Sequence, residues 1–426
     1  MQSRTLSASI QRALLAMAAV SAGALATTSA FAQESEEDAA ATLDTIEVTG
    51  SRLKRADIEG AVPVIVIDRA QIDASGDVSV ADVLRDSTFA SFGNFKPQSG
   101  SSAQSLATID LRGVGSGRTL VLIDGRRAPT NPMSASSGSD LNAIPLAAVE
   151  RIEILSDGAS AVYGSDAIGG VVNVILRKDF NGAEIRYGIG STEVTGGDLQ
   201  DMSVVFGSSS DRTRVIGGAA SSKRGMVFTR DQIGGQGLGV STYGNNYYNW
   251  DTLAIEPVPG FSCDQGAFYF LGSGLCSFNF NSVSANEAKV DNTSVFVRAD
   301  HQINDNWSVY GAATVTKVET FGRYAPVPGV VVVEDGTQSD INSGVACGVG
   351  GCAPGTTDGN PTYYFHRFAA AGNRDNWTDT TNSDFLVGFQ GQLTDTVGID
   401  VGLRRTDYKY VELGRGYIVA SLANEA

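Results

Sequence analysis

Histidine is almost absent from this chain of 426 residues, occurring only at His301 and His366. So distant a pair offers no Ser-His-Asp or Cys-His arrangement and no histidine-rich zinc site. Neither G-x-x-x-x-G-K-[ST] nor G-x-S-x-G occurs. The stretch GVGSG at 113–117 has Arg118 where a dinucleotide fingerprint needs glycine, and a strand-like run follows instead of a helix. It reads as a turn, and the sequence predicts no enzyme, catalytic residue, metal or cofactor. Cations are scarce as well, 31 Lys+Arg against 47 Asp+Glu for a net charge of −16, which excludes a nucleic-acid partner. Cysteine is limited to two local pairs, Cys263 with Cys276 and Cys347 with Cys352. Neither has C-x₂-C spacing, so disulfides in an oxidising compartment are the better reading. Closure within each pair is simplest, although four cysteines allow three connectivities. After the first 26 residues no run approaches the roughly 20 apolar residues of a spanning helix. Any membrane crossing must therefore use strands.

What the sequence does have begins with an export signal. Arg4 and Arg12 precede an apolar run at 13–26, and Ala30-Phe31-Ala32 supplies a small-residue cleavage site. Residues 1–32 are thus expected to be removed. The short segment at 33–59 contains DTIEVTG, strand-like but with no neighbouring run to pair with. Glycine is abundant, with 50 residues, alongside 13 Tyr and 18 Phe, a composition suited to an all-β or barrel protein.

Residues 60–179 mix short strands and helices. VIVI at 64–67 leads into a helical turn, and VSVADVLR at 78–85 starts another helix with Ser79 as its N-cap. TLVLID at 119–124, VERIEIL at 149–155 and the run at 170–176 read as strands. This is the size of one α+β domain. From 180 to 426 the pattern changes to period-2 alternation. Ile185, Tyr187 and Ile189 alternate with Glu184, Arg186 and Gly188, and Val397, Ile399, Val401 and Leu403 with Gly398, Asp400, Gly402 and Arg404. Similar runs lie at 201–207, 213–219, 295–303, 308–316 and 385–393. They are joined by short turns near 208–212, 304–306 and 394–396 and by long connections at 223–292 and 318–383. Short turns on one side and long loops on the other are the asymmetry of a transmembrane β-barrel. A loop of such length is out of place inside a compact soluble domain.

On these residues the chain resembles the TonB-dependent outer-membrane receptors. Ile144-Pro145, then Val149-Glu150-Arg151-Ile152-Glu153-Ile154-Leu155, Gly158-Ala159-Ser160-Ala161-Val162-Tyr163-Gly164 and Ala167-Ile168-Gly169-Gly170-Val171-Val172-Asn173 are similar to that family's plug signature. Leu111-Arg112-Gly113 and Leu122-Ile123-Asp124-Gly125-Arg126-Arg127 are similar to its earlier motifs. Ser156-Asp157-Gly158 stands where many siderophore receptors have Arg-Gly-Pro, which puts a ferric siderophore as substrate in doubt.

The resemblance implies an α+β plug followed by a transmembrane antiparallel barrel in the outer membrane of a Gram-negative bacterium. It implies a gated importer of a scarce or bulky extracellular ligand, with outer-membrane lipid and the periplasmic protein TonB as partners. Asp44, Thr45, Ile46, Glu47, Val48 and Thr49 would form the TonB box, a strand left unpaired so that it can add to a partner's sheet. Arg112, Glu150, Arg151 and Glu153 are the plug–barrel contact candidates. Only about ten residues separate the cleavage site from the box, so transport without an extra signalling domain is expected. A family barrel has 22 strands, whereas about seven are legible here. An N-terminal portion of a longer receptor, or a truncated non-transporting product, is the expectation that follows. The rivals of other classes are a secreted or surface β-rich binding protein and a secreted β-rich hydrolase, the latter needing a carboxylate pair in a cleft that is not evident.

Overall fold

The computed structural model describes residues 64–418 other than 89, 91–98, 101–102, 134–137, 157–159, 233–236, 337–358 and 395. The expected signal at 1–32, the expected TonB box at 44–49, Cys347 and Cys352 lie outside the described residues.

The N-terminal unit starts with β1 (Val64–Ile67), α1 (Arg69–Ser75) and α2 (Val80–Arg85). Asp68 caps α1 through a reciprocal capping box with Gln71, and Gly76 ends it in the left-handed conformation at φ 76°. Ser79 caps α2 by accepting from the Asp82 backbone N–H. Then follow β2 (Thr119–Ile123), β3 (Arg126–Arg127), β4 (Val149–Leu155), α3 (Ser160–Tyr163) and β5 (Gly170–Leu176). The sheet order is β1-β4-β5-β2-β3, with only β2 and β5 parallel. Ile72, Leu84, Ile109, Leu111 and Ile152 are fully buried between sheet and helices. Each such side chain contributes roughly 1.5–3 kcal/mol.

Seven long strands form the second sheet: β6 (Gly182–Gly190), β7 (Leu199–Ser209), β8 (Thr213–Arg224), then β15 (Lys289–Asn304), β16 (Trp307–Tyr324), β19 (Arg374–Thr394) and β20 (Val397–Arg415). Those numbers leave room for the strands of the two long connections: β9 (Val227–Phe228), β10 (Asn246–Asn249), β11 (Ala254–Pro257), β12 (Phe268–Phe270), β13 (Cys276–Phe278), β14 (Ala285–Glu287), β17 (Pro328–Val333) and β18 (Thr362–Arg367). The seven are antiparallel in the order β20-β19-β16-β15-β8-β7-β6. Among the described residues β6 and β20 are free edges, so the sheet is open rather than a closed barrel. One end, the turn end, carries the tight connections around 210–212 and 304–306; the other, the loop end, carries the long ones.

The strands outrun the alternating stretches. β19 has 21 residues and β20 has 19, whereas the apolar alternation spans only 385–393 and 397–403. Beyond it the outward face is polar at Ser383, Thr381 and Asp379 and at Arg405, Asp407 and Lys409 before Trp377, Val411 and Leu413 recur, so continuous period-2 hydrophobicity no longer marks the strand. The long connections are also not structureless. They hold a four-stranded sheet, β11-β10-β18-β17, the hairpin β12–β13 and the long-range pair β9–β14. Cys263 and Cys276 are disulfide-bonded there. Buried Arg367 ties the segments together, donating to the Pro326 carbonyl at 2.8 Å and to Ser241 Oγ at 2.6 Å. Burial pushes its pKa down to about 10.

Candidate functional site: the seam between the two sheets

Alternation sends one face of each long strand against the N-terminal unit and the other outward. The inward face is largely polar, apart from Val205, Ile216 and Phe296 packed on Ala148. Arg298 and Asp300 on β15, Tyr310 on β16, Asp384 on β19 and Asp400 and Arg404 on β20 all point inward. The β2–β3 hairpin reaches them through Asp124, Gly125 and Arg126. Asp124 and Gly125 turn the chain with φ 48° and 77°, the left-handed pair that a two-residue hairpin needs.

Arg298 Nη1 donates to Asp124 and its other nitrogens hold Asp300 at 2.7 and 2.9 Å. The Arg298 and Asp124 side chains are only 10% and 12% exposed. One guanidinium thus bridges two carboxylates, with Lys178 3.9 Å from Asp124, so removing Arg298 leaves two like charges facing each other. Asp124 also accepts from the Leu176 backbone N–H at 3.0 Å, while the Gly125 N–H donates to Asn173 at 2.9 Å. The hairpin is therefore fastened to its own sheet as well as to the long strands. Nearby, Arg126 donates to Asp400 and to Tyr310. Arg404 clamps Asp384 with two bonds of 2.7 and 2.8 Å and donates to the Arg127 carbonyl. A cavity of about 1480 Å³ lies beside this hairpin, at the turn end.

Further ion pairs cross the seam. Arg186 on β6 meets Asp73 on α1, and Arg224 on β8 meets Asp82 on α2 at 3.6 Å. The bond from Arg69, helped by the charge of Arg186, holds the Asp73 carboxyl below its usual range. Toward the loop end neutral contacts join the Arg224–Asp82 pair. Gln104 donates to the Asn376 carbonyl at 3.0 Å and Ser105 meets Thr380 at 3.1 Å. Gly322 of β16 sits so close to this segment that a Cβ there would fall 2.3 Å from the Gly100 nitrogen.

With this geometry in place, residues 56–171 match the TonB-dependent receptor plug domain family. That segment is a TonB-dependent receptor plug. Solved structures that it is similar to include a mutant of the ferric enterobactin receptor from Pseudomonas aeruginosa, in complex with enterobactin. Identity is 14% over 82% of this chain and 58% of that one, with a TM-score of 0.41. BauA, the ferric preacinetobactin receptor of Acinetobacter baumannii, gives 11% over 86% and 49%, TM-score 0.42. The siderophore receptor PiuA of the same organism gives 15% over 83% and 46%, TM-score 0.42. The chain spans about half the length of these structures.

The four plug residues expected at the contact fall in different places. Arg151 Nε donates to buried Glu153 at 2.9 Å, and Glu153 also accepts from Asn173 at 3.2 Å, a pairing across β4 and β5 inside the plug sheet. Glu150 approaches Arg177 at 3.9 Å, and Arg177 in turn donates to Glu184 of β6 at 3.0 Å. Arg112 occupies an exposed left-handed turn with Gly113, φ 67° and 68°. The residues that sequence reasoning missed are Asp124, Arg126, Arg298, Asp300, Asp384, Asp400 and Arg404. Their signal was available: Asp124 and Arg126 lie inside a motif already noted, and the others are charges on the inward phase of alternating strands.

Proposed function

We propose that the chain supplies the plug and part of the barrel wall of a TonB-dependent outer-membrane receptor that imports a scarce or bulky ligand. The observation that carries the membrane placement is the outward face of the long sheet. Ile185, Tyr187, Ile189 and Leu403 are 73, 69, 73 and 75% exposed, an arrangement unfavourable in water and favourable in lipid. The outward apolar residues form a diagonal band. On β6 it centres near residue 186, which the strand register carries to residue 408 on β20. The band on β20 centres about eight residues lower, near 400. Eight residues at ~3.3 Å over six strand spacings of ~4.8 Å give a strand tilt of about 40° to the band. Outer-membrane strands tilt by roughly 35–45°.

The box at 44–49 would be drawn into the periplasm when ligand binds the loop end, and TonB would pair with it and pull. Plug displacement would then begin with the charged seam around Asp124 and Arg298. Seven strands with two open edges do not by themselves make a sealed pore in lipid. The reading that fits the open sheet and the half-length span is a part of a receptor that does not transport alone. A secreted β-rich binding protein would need some other cover for the apolar band.

Fractionation of the chain expressed with its own signal tests the placement. Recovery with the outer membrane, and capture by the periplasmic domain of TonB that is lost in an Ile46→Pro/Val48→Pro variant, are expected. A soluble periplasmic or secreted product would overturn the proposal.

A further inference from the structure

Asp140 is a carboxylate buried in the plug, 7% exposed. Its partners are three N–H donors: the Ala107 and Asn142 backbones, both at 3.1 Å, and Asn131 Nδ2 at 3.3 Å. Each donor belongs to a segment that also touches the wall. Asn131 Nδ2 donates to Tyr408 of β20 at 2.8 Å. The Asn142 carbonyl accepts from Asn292 of β15 at 3.1 Å, and the adjoining Ala143 carbonyl accepts from Thr316 of β16 at 3.2 Å. Two residues before Ala107, Ser105 meets Thr380 of β19 at 3.1 Å. Asn142 Nδ2 closes the circuit onto the Ser105 carbonyl at 2.9 Å. One carboxylate thus gathers the plug segments 104–107 and 140–143 with Asn131, which together touch four wall strands.

We propose that Asp140 is a positioning residue that fixes the upper, loop-end half of the plug against the wall. The contacts it organises are uncharged, Asn, Gln, Ser and Thr to hydroxyl, amide or backbone, whereas the turn-end seam is ionic. Arg224 and Asp82 add an ion pair at the loop end, but the contacts gathered around Asp140 depend on one carboxylate presenting both oxygens to three donors, whereas the ionic turn-end contacts are weakened by salt. The inference deepens the plug-and-wall reading, and through it the proposed displacement of the plug in transport.

The test places Ser105→Cys and Thr380→Cys in the full chain and measures oxidative cross-linking, with amide exchange of β4 and β5 followed in parallel. Addition of Asp140→Ala is expected to lower the cross-link yield about tenfold, as loss of two or three buried bonds implies. The β4 and β5 amides keep their protection. Asp140→Asn, which keeps one carbonyl oxygen for the two backbone donors, restores at least half of the yield. An unchanged yield in Asp140→Ala overturns the proposal, and so does a fall accompanied by faster exchange throughout β4 and β5. The cross-link is read without ligand or TonB. Failure of the import reading, seen as a soluble product on fractionation, would therefore be told apart from failure of this one.

Discussion

Asp124 and Arg298 hold the plug hairpin to the wall, and the strength of that hold can be put to a number. Arg298→Met removes the guanidinium and leaves the carboxylates of Asp124 and Asp300 side by side, with Lys178 3.9 Å from Asp124. The usual penalty for breaking a buried pair in this way is about 3–5 kcal/mol. Asp124→Asn is milder. Asparagine accepts the left-handed backbone, can still take the Leu176 N–H, and leaves Arg298 paired with Asp300, so about 1–3 kcal/mol is expected. The double variant is expected to cost less than the sum, with a coupling of about 2 kcal/mol. The assay is hydrogen exchange at the Leu176 and Gly125 amides, whose acceptors are the Asp124 and Asn173 side chains. A cost of about 3 kcal/mol accelerates their exchange by roughly 150-fold. Acceleration below about threefold in Arg298→Met, or a coupling under about 0.5 kcal/mol, would refute the lock.

Gly322→Ala should push Gly100 and Gln104 of the plug off the wall, because the new Cβ would lie 2.3 Å from the Gly100 nitrogen; a loss of about 1–3 kcal/mol in plug stability is expected, read by denaturant titration. Burial raises the Asp140 pKa from 3.8 to about 6. Its contribution to stability is therefore full below pH 3.8 and lost as pH rises through about 6, up to roughly 3 kcal/mol. Plug melting at pH 4.5 and 7 should show that fall, and Asp140→Asn should flatten it; an equal slope in the variant would contradict the assignment. Reduction of Cys263–Cys276, which closes a separation of 13 residues, should destabilise the β12–β13 hairpin by about 3 kcal/mol. Limited proteolysis before and after reduction would show cleavage confined to that connection.

The plug was legible because its local signals agree with its fold. Ser79 caps the helix it was expected to cap, and Ile154 and Val172, on runs identified as strands, are neighbours in the sheet. The seven wall strands could be counted but not measured. Unbroken hydrophobic alternation stops at Leu403 and Phe385 although the hydrogen-bonded ladder runs on to Arg415 and Arg374. The seam was the least visible part. Arg298 and Asp400 are far apart in sequence and meet the plug only because two strands share an inward phase and a barrel-like tilt. Arg151 and Glu153, conspicuous in the motif, satisfy one another inside the plug sheet.

The central claim is that one face of the long sheet meets lipid and the other meets the plug. It is tested most directly by single cysteines at 397–410 along β20, each carrying a fluorophore, in bilayers containing a lipid-phase quencher. Strong quenching at 397, 399, 401 and 403, little at 398, 400, 402 and 404, and a decline at the odd positions from 405 onward is the predicted result. Uniform quenching, or quenching of the even positions, would contradict it.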